Sequence, residues 1–203
     1  MHDDRMNLYH LAPGDCVPAP LPIRSESDIT LDWSGDAIIV SILCPTYQHV
    51  DYVEDAIRGF LGQRTSFRFE VLIRDDASTD GTATIVQRYA GEYPRIIRAV
   101  LEHENQWPSR TPEGVLIPMA RGMFLAWCEG DDYWTDPYYL ETAVQSLKDD
   151  PEASGIVGTC SIARDGRVVG NQTPNSSGWN WSLPLRALVH RAGLPLLDVP
   201  GVY

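Results

Sequence analysis

The run Ala37-Ile-Ile-Val-Ser-Ile-Leu-Cys44 constrains the fold of this chain more than any other segment. It is short, almost unbrokenly apolar and rich in β-branched residues, and Pro45 ends it, so it has no polar face to leave in water. Such a strand is stable only when both faces are covered, as in a parallel sheet between helices. Behind Asp51, a candidate N-cap, the apolar residues Tyr52, Val53, Ala56, Ile57, Phe60 and Leu61 recur at helical spacing. Phe67-Arg-Phe-Glu-Val-Leu-Ile73 reads as a second strand, residues 82–93 as a second helix and residues 96–101 as a third strand. Residues 103–113 read as a loop, residues 114–121 as a short helix, and Met123-Phe-Leu-Ala-Trp-Cys128 as a fourth strand. This alternation predicts an α/β domain with a mainly parallel sheet flanked by helices. A helix from Pro137 to Lys148 follows, then a hairpin turning at Asp165-Gly166. Residues 1–36, with Pro13, Pro18, Pro20 and Pro22, read as an N-terminal arm, and residues 171–182 as a polar loop.

The chain's 203 residues allow one domain with appendages. Its 16 basic and 28 acidic side chains leave a net charge of −12, which argues against binding nucleic acid through a basic face. Lys148 is its only lysine, so any chemistry that needs a lysine must use that one. Cys16, Cys44, Cys128 and Cys160 form no CxxC pair, and three of them lie in apolar runs; they read as reduced core residues of a cytoplasmic protein. The sequence MHDDRMNLYH has no secretory pattern, and no apolar stretch approaches the ~18 residues of a spanning helix.

The acids that carry the chemical signal sit where strands end. Asp75, Asp76 and Asp80 follow the second strand; Glu129, Asp131, Asp132 and Asp136 follow the fourth. In an open parallel sheet, ligands bind outside the carboxyl ends of the strands. Carboxylates gathered on that edge repel one another unless a cation intervenes, and an all-oxygen donor set suits Mg²⁺ or Mn²⁺ held jointly with a phosphate ligand. Asp80 and Asp136 also admit a plain reading as helix caps.

Three segments, Val40-Ser-Ile-Leu-Cys-Pro-Thr-Tyr47, Val71-Leu-Ile-Arg-Asp-Asp-Ala-Ser-Thr-Asp-Gly-Thr82 and Ala120-Arg-Gly-Met-Phe-Leu-Ala-Trp-Cys-Glu-Gly-Asp-Asp-Tyr-Trp134, together resemble the family 2 glycosyltransferases of the GT-A fold. The resemblance spans roughly residues 37–150 and implies a Rossmann-like nucleotide-sugar-binding domain over residues 37–170. It also implies a nucleotide-sugar donor, usually a UDP-sugar, with Pro45, Thr46 and Tyr47 lining the nucleoside pocket. Asp76 matches the aspartate that hydrogen-bonds the base, with Asp75 beside it. Asp131 and Asp132 match the acidic motif that contacts the ribose and holds a divalent metal, Mn²⁺ or Mg²⁺, on the diphosphate; Glu129 stands where many members have aspartate. Arg110 or Arg121 is a candidate to approach the pyrophosphate, although Arg121 also fits a solvated helix end; Tyr133 and Trp134 either pack below the site or face the sugar, and packing is the safer reading.

The implied reaction is sugar transfer with inversion to a hydroxyl of a saccharide, lipid carrier or protein, as in the building of a cell-envelope polysaccharide. A protein of this kind would work in the cytoplasm, with peripheral association at the inner face of the membrane. The resemblance also implies a carboxylate general base that deprotonates the acceptor hydroxyl and lies well after the metal motif, next to the acceptor pocket. Of the acids beyond Trp134, only Asp198 lies outside a helix or a turn, with His190 a weaker candidate. Residues 171–203 therefore read as a polar loop and a partial acceptor-side segment, truncated before the base. The expected alternative is a donor-binding fragment or module without turnover. A phosphatase of the haloacid dehalogenase type is disfavoured, because that class needs Asp-x-Asp at the strand end and a downstream lysine, whereas Asp75 and Asp76 are adjacent and Lys148 reads as a solvated helix residue. A phosphate-cradling P-loop is excluded separately, because no Gly-x-x-x-x-Gly-Lys occurs.

Overall fold

The computed structural model describes residues 11–153, 155–158, 160–172 and 188–191. Strand β1 (Ser34–Thr46) leads into helix α2 (Val53–Leu61), β2 (Phe67–Asp75), α3 (Thr82–Glu92) and β3 (Ile97–Leu101); the short helix α1 (Glu26–Thr30) precedes them. Helix α4 (Pro112–Leu116), with a 3-10 turn at Ile117–Met119, then precedes β4 (Phe124–Trp127), α5 (Tyr139–Asp149), β5 (Gly155–Val157), β6 (Cys160–Arg164), β7 (Arg167–Gln172) and β8 (Leu188–Arg191).

The main sheet has the order β3-β2-β1-β4-β8-β5. Its first four strands run parallel, as the apolar runs predict, while β8 lies antiparallel between β4 and β5. The expected single hairpin over residues 156–169 is divided. Residues 155–157 extend the main sheet, and β6 pairs with β7 across Asp165 and Gly166, both left-handed at φ 50° and 73°. That conformation suits the two central residues of a tight hairpin turn.

The pleat of β1 distributes its apolar residues to both faces. Val40, Ile42 and Cys44 join Val71 and Ile73 of β2 in a core with Val53, Ala56, Ile57 and Phe60 of α2, Val86 and Tyr89 of α3, and Leu140, Val144 and Leu147 of α5. Leu43 and Leu72 face the other way and pack on Leu116 of α4. Each fully buried aliphatic side chain of this kind contributes about 1.5–3 kcal/mol.

Part of the segment expected to be an arm is ordered against this core. Ser25 caps α1 by accepting from the Asp28 N–H at 3.1 Å, and Ile29 is buried. Arg24 donates to the Gln63 carbonyl at 3.0 Å, and the Tyr93 hydroxyl donates to the Arg24 carbonyl at 3.0 Å. Five residues show no usable periodicity, which is why α1 is not visible in the sequence pattern. Cys16 is exposed and bridges to β7, unlike the core cysteines Cys44 and Cys128.

A buried carboxylate fixes the entry into β4. Glu70 accepts from the Ser41 hydroxyl at 2.7 Å, from the Arg121 N–H at 2.8 Å, and from the Arg121 guanidinium at 2.9 and 2.5 Å. Gly122 lies so close to β1 that a Cβ there would sit 2.4 Å from the Ser41 nitrogen. Burial alone would raise the Glu70 pKa, but hydrogen bonds from Arg121 and Ser41 outweigh it and hold the group below the ordinary value of 4.5. A lowered folded-state pKa gives stability that is present above pH 4.5 and lost as pH falls through the folded value. Glu70→Ala should cost about 2 kcal/mol in urea unfolding at pH 7, since Arg121 can turn to water but Ser41 cannot. The gap in unfolding midpoint between wild type and Glu70→Gln should narrow as the solution is acidified below pH 4.5.

Candidate functional site

Strands β1 and β4 are neighbours, yet the chain leaves β1 toward β2 and β3 on one side and returns to β4 on the other. This reversal is the switch point at which open α/β sheets bind ligands. The ends of both strands meet there: the Cys128 N–H donates to the Leu43 carbonyl at 3.1 Å and the Gly130 N–H to the Pro45 carbonyl at 2.9 Å. The acidic turn 129–132 thus hangs on the backbone of β1, closed by a bond from the Asp132 N–H to the Glu129 carbonyl at 3.1 Å. Only glycine allows this approach, because a Cβ on residue 130 would meet the Thr46 Oγ1 at 2.5 Å and the His49 Nδ1 at 3.0 Å.

The acids expected at this turn come together. Asp131 is exposed, and Glu129 and Asp132 are half-buried. Their combined charge is felt by Cys44, whose thiol is pushed up first by burial and then by Glu129, Asp131 and Asp132. Among the described residues no group of three His, Cys, Asp or Glu side chains forms a metal cage. The donor set fits a hard divalent ion that takes one or two carboxylates here and its remaining oxygens from phosphate and water. Pro45 and Tyr47 flank the same edge, with Tyr47 45% exposed and Thr46 buried.

Asp75 and Asp76 are adjacent at the end of β2, so the pleat sends them to opposite faces. Asp75 pairs with Thr46 and follows Ile73 onto the side of α2 and α3. One oxygen of Asp75 accepts from the Ser78 N–H at 2.9 Å; the other, like the Thr46 hydroxyl and the His49 Nδ1, is buried without a hydrogen-bond partner. Asp76 lies on the α4 side, where its Oδ1 accepts from Arg74 at 2.8 Å and from the Gln106 N–H at 3.0 Å. Its Oδ2 accepts from the Trp107 N–H at 3.2 Å, which leaves one lone pair on that oxygen. This split also removes the phosphatase reading, since the two carboxylates cannot share one phosphoryl group, and Lys148 is exposed on the last turn of α5.

The loops above the strands are stitched together. Gln48, left-handed at φ 58°, donates to the Thr79 hydroxyl at 3.0 Å and accepts from the Thr79 N–H at 2.9 Å and the Asp80 N–H at 3.2 Å. Asp80 accepts from the Thr82 N–H at 2.9 Å, as a capping residue would, and also from the Val50 N–H at 3.0 Å. Asp136 accepts from the Tyr138 N–H at 2.8 Å in the turn ahead of α5, but Tyr138 is the N-cap, so Asp136 closes that turn and does not cap the helix.

Several expected residues are elsewhere. Arg121 precedes β4, at the edge of the sheet opposite the acidic turn, and is bound to Glu70; it does not reach the site. Arg110 pairs with Glu102 at 3.6 Å, next to the Arg74–Glu102 contact at 3.1 Å. Trp134 is buried against Phe60 and Tyr139, with ring centroids 5.1 Å away in both cases, so it takes the packing role, the safer of its two readings. Asp198 lies outside the described residues; His190 belongs to β8, where its backbone pairs with Leu125 and Gly155.

The sequence reading missed Arg74 and Trp107. Arg74 is 1% exposed and joins Asp76 to Glu102, and an arginine inside an apolar strand beside two aspartates is a signal that was available. Trp107 stands 47% exposed on the loop after β3, its backbone held by Asp76 and by the Asn105 side chain at 3.1 Å.

Comparison with known proteins follows the same lines. The model of glycosyl transferase family 2 matches residues 41–201. An uncharacterized protein of Mycobacterium tuberculosis is 38% identical over 152 residues, which are 75% of this chain and 43% of that protein. The chain thus matches under half of the length of such relatives. In structure it is similar to the poly(ribitol-phosphate) beta-N-acetylglucosaminyltransferase TarS of Staphylococcus aureus, solved with UDP, at TM-score 0.51 and 24% identity, over 59% of this chain and 35% of that one. It is also similar to the mannosyltransferase PcManGT of Pyrobaculum calidifontis, solved with GDP-Man and Mn²⁺, at TM-score 0.53 and 23% identity, over 75% of this chain and 39% of that one. These likenesses identify the parallel sheet and its flanking helices as the GT-A fold. The motifs at the ends of β1, β2 and β4 and the family match across most of the sequence agree: the chain belongs to glycosyl transferase family 2.

Proposed function

We propose that this chain is the donor-binding part of a metal-dependent, inverting glycosyltransferase that moves a sugar from a UDP-sugar to a hydroxyl acceptor. The observation that carries this reading is the acidic turn pressed against the end of β1 at Gly130, which sets two carboxylates beside the switch point. The UDP complex of TarS supports a uridine donor, and the Mn²⁺ complex of PcManGT supports a divalent ion.

In this reading Pro45, Thr46 and Tyr47 wall the nucleoside, and the remaining lone pair of Asp76 accepts an N–H of the base. Asp75 supports the loop above the nucleoside through Ser78. Asp131 meets the ribose and, with Asp132, the metal. When bound, the ion offsets the negative charge that develops on the departing diphosphate. The side chains of the acidic turn orient the diphosphate, and a carboxylate on the acceptor side deprotonates the hydroxyl; Asp198 is the candidate within this sequence. The acceptor is a saccharide, a lipid carrier or a protein, as in the building of a cell-envelope polysaccharide; the poly(ribitol-phosphate) in the name of TarS is one polymer on which a relative acts. Among the described residues no helix is long and apolar enough to cross a membrane. We place the work in the cytoplasm, with peripheral contact at the inner face of the membrane when the acceptor is carried on lipid.

Asp132→Ala should abolish the Mn²⁺-dependent part of UDP binding in calorimetry while leaving the circular dichroism and melting temperature unchanged; undiminished binding would overturn the metal assignment. Trp107 offers an indole face next to Asp76, and stacking on a base contributes about 1–3 kcal/mol. Trp107→Ala should therefore weaken UDP by about that amount and inorganic pyrophosphate not at all, whereas Trp107→Phe should keep most of the affinity.

A further inference from the structure

The acidic turn is held at two ends, and the second holder comes from outside the matched family region. At its front, Gly130 hangs on Pro45 of β1. Directly behind it, the Tyr133 hydroxyl donates to the Pro18 carbonyl at 2.6 Å, across 115 residues of sequence. Pro18 lies in the N-terminal segment, whereas the family match begins at residue 41.

The segment that presents Pro18 is itself anchored on both sides. Upstream it lies antiparallel along β7. The Gly14 N–H donates to the Val168 carbonyl at 2.8 Å, the Val168 N–H to the Asp15 carbonyl at 2.9 Å, and the Val17 N–H to the Gly166 carbonyl at 3.0 Å. Arg167 adds a bond to the Gly14 carbonyl at 2.8 Å. Downstream, Leu21 covers Gly62 at the C-cap of α2, so closely that a Cβ on Gly62 would be 2.5 Å from the Leu21 Cβ. The backbone of Trp134 packs on the same helix, where a Cβ on Gly59 would be 2.8 Å from the Trp134 nitrogen. Residues 11–24 therefore bridge the β6–β7 hairpin, the acidic turn and the end of α2.

We propose that Tyr133 is a positioning residue for the acidic turn, and that residues 11–24 form a clasp that transmits the position of the β6–β7 hairpin to Asp131 and Asp132. The clasp rests on the reading that these aspartates bind the metal and diphosphate of the donor. Its mechanical part can be tested separately, because the amides of Gly130 and Asp132 are both hydrogen-bonded and report on the turn by hydrogen exchange.

The test uses the full chain with two variants. Tyr133→Phe removes one hydroxyl; Val17→Pro removes the N–H that binds the Gly166 carbonyl and lies far from the turn in sequence. Both should speed exchange at Gly130 and Asp132, raise the Mn²⁺ concentration needed for half-maximal UDP binding, and weaken Mn²⁺–UDP about three- to tenfold, the scale of one lost hydrogen bond. Ile29→Ala, which opens a cavity at α1, serves as the control for general destabilisation: it should lower the melting temperature and leave the Mn²⁺ requirement at its wild-type value. Wild-type exchange at Gly130 and Asp132 in both variants would overturn the clasp, as would an equal rise in the Mn²⁺ requirement in Ile29→Ala. If the wild-type chain binds no UDP, the donor reading fails, and faster exchange at these two amides still decides for the clasp.

Discussion

The burial of residues 40–46 of β1, on both faces and between β2 and β4, is the constraint on which the rest of the structure depends. It pairs with β2 on one side and β4 on the other, and its apolar residues alternate between the α2–α3–α5 core and the α4 side. A strand so placed has no freedom to slip, because a shift of one residue would exchange Leu43 with Cys44 and send Thr46 to the wrong side. The carboxyl end of β1 is thereby fixed, and the acidic turn takes its position from that end through Gly130.

Two buried ion networks divide the work at the two edges of the sheet. Glu70, at 1% exposure, ties β1, β2 and the chain entering β4, far from the carboxyl edge. Arg74, also at 1% exposure, ties Asp76 to Glu102 and lies under the loop that carries Trp107. Buried pairs of this kind contribute little net stability, since desolvation offsets most of their attraction. Their effect is geometric: one sets the register of β4 at its start, and the other holds the loop after β3 beside the end of β2. Both sit on the α4 face, which contributes few apolar residues and leaves room for charge.

The elements legible in the sequence were those with local signatures. The runs at residues 37–44, 67–73 and 123–128 became strands, and the helical periods at residues 52–61 and 137–148 became α2 and α5. The acidic turn 129–132 lies at the switch point between β1 and β4, whereas Asp75 and Asp76 sit at the end of the neighbouring strand β2. Less legible were α1, too short to show a period, and the division of residues 155–172 between two sheets. Between a pyrophosphate contact and a solvated helix end the sequence could not decide for Arg121, because a solvent-exposed arginine near an acidic motif looks the same whether its partner is a ligand, water or a buried glutamate 51 residues away.

By itself the sequence determined the alternation of strands and helices, the parallel sheet and the gathering of acids at strand ends, because these follow from periodicity and apolar content within windows of about ten residues. Only the tertiary structure decided that Asp75 and Asp76 serve opposite faces, that Asp76 carries the backbone of Trp107, and that Tyr133 reaches the carbonyl of Pro18. Each of those contacts depends on how two faces meet after burial, and a hydrogen bond across 31 or 115 residues leaves no local pattern in the chain.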